Sequence, residues 1–186
     1  MRNAVVILSA LLAASCVAPA DTGVRDTMPP AAHSGHLPVD RYGERAMPLR
    51  ADFVLVDKSD RILVLYRGGK AFRAYRGLQF GDAPFGHKRF EGDERTPEGR
   101  YTIDTRNPQS AYHLSLRISY PNAADRRFAA GYGRSPGGDI FIHGQPNGMA
   151  GRMRGDWTDG CIALTNDEIE ELWTLVPDGT PIEIRS

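Results

Sequence analysis

A mostly β domain with one clear α-helix, built as a β-sandwich or a half-open barrel, is predicted by three features of the sequence. Short apolar or alternating runs recur from about residue 51 onward. Long stretches dense in glycine, aspartate and proline separate them. One segment near the C-terminus carries a complete helix signature.

Residues 1–20 precede that domain and read as an export signal. Arg2 supplies a positive start, and Ala4 to Ala14 is an apolar core too short to span a bilayer. Two endings are open. Leu11-Leu12-Ala13-Ala14-Ser15-Cys16 resembles a bacterial lipobox with Cys16 as the lipidated residue, although Ala13 stands where leucine is usual. Ala18-Pro19-Ala20 is an ordinary A-x-A cleavage pattern. Either ending places the protein outside the cytoplasm, in the periplasm or cell envelope. Membrane contact is expected only through a lipid on Cys16. Residues 21–50 read as a disordered linker, because they have no hydrophobic periodicity with which to offset the entropy of ordering. His33 and His36 read as solvated linker residues.

The domain, residues 51–186, opens as a β-meander. Asp52 to Asp57 and Arg61 to Arg67 are apolar, β-branched runs joined by Lys58-Ser59-Asp60. Gly68-Gly69 is a hairpin turn, and Lys70 to Gly77 alternates as a half-buried strand does. Phe80 to Thr102 reads as a solvated loop, His87 included, that ends in a strand at Arg100 to Asp104. Thr96-Pro97-Glu98-Gly99 is a turn within it. Leu114 to Tyr120 is a further strand, and Pro121 to Gly138 a glycine-rich loop. Thr165 with Glu168 forms a capping box, and Ile169, Leu172, Trp173 and Val176 share one helical face, Trp173 as a core anchor. Pro181 to Ile184 is the final strand.

Charge narrows the function. Lys+Arg and Asp+Glu both number 23, so no electrostatic argument favours nucleic acid. The chemistry concentrates in Ile140 to Asn166. An apolar strand delivers His143 and Gly144. After a loop rich in glycine and arginine, Gly160-Cys161-Ile162 forms a second short strand. An unpaired thiol in an exported protein is exposed to oxidation, so its retention suggests use. Cys161 is the candidate nucleophile and His143 the base that takes its proton. Gly144 leaves room for a ligand beside the histidine. Gly160 permits a sharp turn that aims the N–H groups of Gly160 and Cys161 at a developing oxyanion. Thr158 and Asp159 are either helpers or turn formers. His113 is a second candidate base. A zinc site of Cys161, His143 and His113 lacks any ligand-pair spacing, so no metal or other cofactor is expected.

His143-Gly144, the long loop and Thr158-Asp159-Gly160-Cys161-Ile162 resemble the L,D-transpeptidase (YkuD-like) catalytic domain. Thr96-Pro97-Glu98-Gly99-Arg100-Tyr101 resembles the same family's T-P-x-G-aromatic turn, so the likeness spans residues 51–186. The resemblance implies a β-rich catalytic domain in which Cys161 attacks a peptidoglycan stem peptide and forms a thioester. His143 then serves as base and acid, oriented by a backbone carbonyl. Arg152 and Arg154 in the intervening loop are either contacts for stem carboxylates or ordinary solvated arginines. Two positions depart from the family pattern: Asp159 stands for a histidine and Ala163 for an arginine. Asp156 to Ala163 is similar to a branch that includes hydrolases releasing a wall-linked lipoprotein. Three readings follow: a transpeptidase, a hydrolase on the same stems or on the lipoprotein link, and a silent wall-binding module.

Overall fold

Period-two alternation turns one face of each strand inward, and matched registers collect those faces into one core. The computed structural model describes residues 49–186; the export signal, Cys16 and the linker up to residue 48 lie outside the described residues. The strands are β1 (Phe53–Asp57), β2 (Ile62–Arg67), β3 (Lys70–Arg76), β4 (Gly99–Ser110), β5 (His113–Ile118), β6 (Phe141–His143), β7 (Ile162–Ala163) and β8 (Thr180–Arg185). They form one eight-stranded sheet in the order β3-β2-β1-β8-β4-β5-β6-β7, curled as a half-barrel, with β1–β8 and β6–β7 parallel. Of the two architectures left open by the sequence, the structure is therefore the half-open barrel.

Register explains the core. Val54 lies opposite both Leu65 and Ile182, and Val56 opposite both Leu63 and Ile184. All six are buried. Each such side chain contributes about 1.5–3 kcal/mol of transfer free energy. The row continues through Ile103 opposite Ile118 and Leu116 opposite Ile142 to Ile162. The Gly68-Gly69 turn has positive φ at both residues, 57° and 74°, the type I′ geometry that matches strand twist.

Helix α2 (Asn166–Leu175) starts as the sequence predicts. Thr165 Oγ1 accepts from Glu168 N, and Glu168 Oε2 accepts from Thr165 N. Ile169, Leu172 and Val176 are buried, whereas Trp173 packs at the margin of the core under the Arg106 guanidinium.

Three expectations are corrected. Pro121 to Gly138 is not all loop: α1 (Ala123–Gly131) begins there, capped by Asn122 and Asp125. Its short sequence lacks an apolar stripe, so periodicity does not reveal it. β4 runs beyond Asp104 to Ser110, because β5 pairs with its second half. Pro108 is accommodated where the register shifts between Asn107 and Ser110. The stretch after Phe80 is not simply solvated. The buried Lys58 Nζ donates to Gly86 O, Thr96 O and Glu98 Oε1. His87 Nδ1 accepts from Glu98 N, so its Nε2 carries the proton donated to Asp125 Oδ1.

Gly81 is the tightest point of this strapping. A Cβ there would lie 2.0 Å from Glu94 O and 2.7 Å from Thr158 O, both backbone atoms. Gly81→Ala is expected to cost about 3 kcal/mol or more in urea unfolding; an unchanged midpoint would contradict this packing.

Candidate active site

The site is a product of β6–β7 pairing. Ile142 lies opposite Ile162 and His143 opposite Ala163 in a parallel ladder, which sets Cys161 beside Phe141. Phe141 and His143 are two residues apart and share a face, and Cys161 falls on that face too. Neighbouring strands and a two-residue offset separate the two Cα atoms by about 8 Å. Both residues line one cavity of about 410 Å³, together with Ser115, Tyr112, Trp157, Asp139, Thr158 and Asp159.

His143 is 3 % exposed. Its Nδ1 lies 2.7 Å from Gly144 O. A carbonyl only accepts, so Nδ1 carries the proton and Nε2 holds the lone pair in the neutral ring. Two aromatic rings enclose the imidazole. Tyr112 stacks on it with centroids 4.6 Å apart, and Trp157 meets it at 5.6 Å in a steep edge contact. Burial pulls the His143 pKa below the ordinary histidine value, against the opposing effect of the Gly144 carbonyl.

Cys161 Sγ accepts from Phe141 N at 3.4 Å and approaches Asp139 O at 3.5 Å. Burial pushes its thiol up to about 11; Asp159 and Asp139 add to the rise, while the Phe141 N–H and Lys88 oppose it. Desolvation thus disfavours the charged form of both groups, the thiolate and the imidazolium.

The elbow before Cys161 requires glycine. Gly160 has φ +115°, and a Cβ would lie 2.4 Å from Arg95 O. Thr158 Oγ1 donates to Cys161 O at 2.8 Å and accepts from Gly160 N at 3.3 Å. Thr158 therefore shapes the turn as well as lining the cavity, and the Gly160 N–H is engaged. No described group accepts from the Cys161 N–H.

Other candidates are placed elsewhere. Gly144 leaves no room for a ligand: a Cβ would lie 2.7 Å from Asn166 Oδ1 and 3.0 Å from Ile169 Cγ2, so its space is filled by α2. Arg152 bonds Glu168 and lines a separate concavity with Arg61 and Asp156. Arg154 is exposed and lines neither. His113 bonds Glu170 on α2 and lies outside the cavity lining, so the three-residue zinc set does not assemble. Asp159 is exposed at the cavity margin.

Several contributors escaped the sequence reading. Arg61 grips Asp156 through two bonds of 2.7 Å, and Asp156 accepts from Phe80 N. The buried Gln145 bonds Gln79 and Leu164 O. These contacts pin the loop between His143 and Cys161. Tyr112 carries no sequence signal, whereas Trp157 lies inside the Asp156–Ala163 motif and was legible there.

The class is a half-barrel domain with a cysteine and a histidine facing one cleft. The chain belongs to the L,D-transpeptidase catalytic domain family (YkuD), whose model matches residues 51–184. It is 28% identical over 149 residues to the Escherichia coli (strain K12) protein named "Putative L,D-transpeptidase YafK", covering 77% of this chain and 54% of that one. Among solved structures it is similar to the helical cell shape determining protein Pgp2 of Campylobacter jejuni. Identity there is 32%, the TM-score 0.59, and coverage 72% of this chain and 47% of that chain. Bd1075 of Bdellovibrio bacteriovorus matches at 27% identity and TM-score 0.52, covering 74% of this chain and 48% of that one. The chain thus spans about half the length of the relatives it matches.

Two measurements check the electrostatics. The thiolate is the reactive form, and a raised pKa lowers its fraction at neutral pH. Iodoacetamide alkylation of Cys161 is therefore expected to keep climbing past pH 9, toward a midpoint near the value of about 11; a plateau below pH 8 would mean an ion pair. In Tyr112→Ala, water reaches the imidazole, and its depressed pKa should rise. The His143 NMR titration midpoint is expected to move up in that variant and stay in place in Tyr112→Phe. Equal midpoints in all three proteins would remove the aromatic cover as the cause.

Proposed function

We propose that this domain is an exported cysteine acyltransferase that acts on peptidoglycan stem peptides through a thioester on Cys161. One observation carries the reading. His143 and Cys161 face a common cavity from adjacent strands, with Nδ1 committed to Gly144 O and Nε2 left to exchange the proton. Family membership supports the substrate class.

The chemistry starts from the neutral pair. Sγ attacks the stem carbonyl after the third residue as its proton passes to Nε2, so charge develops only in the transition state. The Cys161 N–H is the available oxyanion donor. The Gly160 N–H joins it once its long bond to Thr158 Oγ1 yields to a charged acceptor. The imidazolium then protonates the leaving amine as the tetrahedral adduct collapses to a thioester. An amine of a second stem resolves it into a cross-link, or water resolves it as hydrolysis. Asp159 at the cavity margin, in place of the histidine usual in the resemblance, is the residue that keeps the water route in view, as does the similarity to hydrolases that release a wall-linked lipoprotein.

Purified protein incubated with disaccharide-tetrapeptide and an amine acceptor tests this by mass spectrometry. Cross-linked dimers are expected. Shortened stems without dimers would assign hydrolysis, and binding without a thioester would leave a silent wall-binding module. Cys161→Ala is expected to abolish turnover with the fold intact; full activity in that variant would refute the nucleophile. His143→Ala is expected to slow acylation by about 10²–10⁴-fold.

A further inference from the structure

Outside the catalytic cavity, the loop before β4 and helix α1 build a second feature. Phe90, Phe128 and Tyr132 form one cluster, with centroids 5.9 Å (Phe90–Phe128), 5.6 Å (Phe90–Tyr132) and 5.0 Å (Phe128–Tyr132) apart. Phe128 and Tyr132 come together because they are four residues apart at the end of α1. Two guanidiniums lie on these rings. Arg134 Cζ is 3.9 Å from the Phe90 centroid, and Arg89 Cζ is 4.4 Å from the Phe128 centroid. Among the described residues, neither guanidinium makes an ion pair or a side-chain hydrogen bond, although eleven ion pairs are formed elsewhere in the domain (Lys58–Glu98 through Arg185–Asp57). Both arginines are exposed.

A ring face holds a guanidinium in place without using its N–H donors. These two forks are therefore positioned in advance and still have their donors free. The complementary group is planar, anionic and oxygen-bearing: a carboxylate or a phosphate. Position selects between sources. The segments that carry Arg89 and Arg134 continue into a second cavity lined by Lys88, Glu91, Glu94 and Ser135. That cavity shares Gly138, Asp139 and Asp159 with the catalytic one. A ligand running from the platform to Cys161 thus meets cationic groups first and carboxylates next. An anionic bilayer laid on this face would be repelled by the second set. A stem peptide, with free carboxylates and a free amine, matches both signs.

We propose that Arg89 and Arg134, held on the Phe90–Phe128–Tyr132 cluster, dock the carboxylates of a neighbouring peptidoglycan stem peptide on its way to the catalytic cavity. This rests on the functional reading above, and it assigns a surface outside the cavity lined by Cys161 and His143.

Sedimentation of the full chain with purified sacculi tests it. Arg89→Gln/Arg134→Gln is expected to weaken binding by at least about tenfold, the scale of a lost charge-assisted bidentate contact, with an unchanged melting temperature. Arg89→Lys/Arg134→Lys keeps the charge without the fork and should fall between the two. The wild-type protein on sacculi whose stem carboxylates have been amidated should bind as weakly as the glutamine variant, a comparison that needs no substitution. Equal binding to native and amidated sacculi would overturn the proposal. So would a loss confined to phosphatidylglycerol vesicles, which would assign the platform to a membrane. Acyl-enzyme formation on disaccharide-tetrapeptide separates the two inferences. If it forms while sacculus binding ignores both arginines, only the platform fails. If it does not form while binding depends on them, only the catalytic reading fails.

Discussion

Everything at the catalytic cleft depends on a parallel ladder only two residues long. Ile142 opposite Ile162 and His143 opposite Ala163 set the register of β6 against β7. A slip by one residue would turn either the imidazole or the thiol to the other face of the sheet. So short a strand cannot hold its register alone, and its neighbours supply the constraint. Gln79 exchanges both backbone bonds with Ala163, and Leu164 N donates to His143 O. Thr158 N donates to Phe80 O, and Gly81 bridges Thr158. The segment from Leu78 to Gly81 thus acts as a brace on β7 and the turn that leads into it. The buried Lys58 and the His87–Asp125 pair anchor the loop that follows it.

The same burial that fixes the geometry sets the electrostatics. His143 is enclosed by Tyr112 and Trp157, and the Cys161 thiol is pressed against the backbone that leads into β6. Both charged forms lose hydration, so both pKa values move toward neutrality of the pair. Under the proposed mechanism the proton moves during attack, so the position of Nε2 matters. The Gly144 carbonyl sets that position by holding the opposite nitrogen.

Glycine serves two unlike purposes in the motifs. At Gly160 the backbone has a positive φ and lies against Arg95 O, so the residue is dictated by conformation and close approach together. At Gly144 the reason is packing: α2 occupies the space that a side chain would need. From the sequence alone, Gly144 reads as leaving room for a ligand and Gly160 as permitting a sharp turn. The difference arises because the neighbour that fills the space beside Gly144, Asn166 with Ile169, is twenty-two or more residues away along the chain.

Local patterns determined the strand set, the type I′ turn at Gly68-Gly69 and the capping box of α2, because alternation, paired glycines and a Thr-x-x-Glu spacing act through bonds between near neighbours. The motifs around His143 and Cys161 also marked the family and the two residues that the fold brings to one cavity. Helix α1 stayed hidden, since its few apolar residues are satisfied by Phe90 from a distant loop rather than by a stripe of its own. The extent of β4 depended on β5 pairing with its second half. The cover over the imidazole, the pinning of Asp156 by Arg61 and the stacking of Arg89 on Phe128 and Arg134 on Phe90 were decided by tertiary structure alone. Each joins residues far apart in sequence, and desolvation, which sets their energies, is a property of the folded surroundings rather than of any residue's identity.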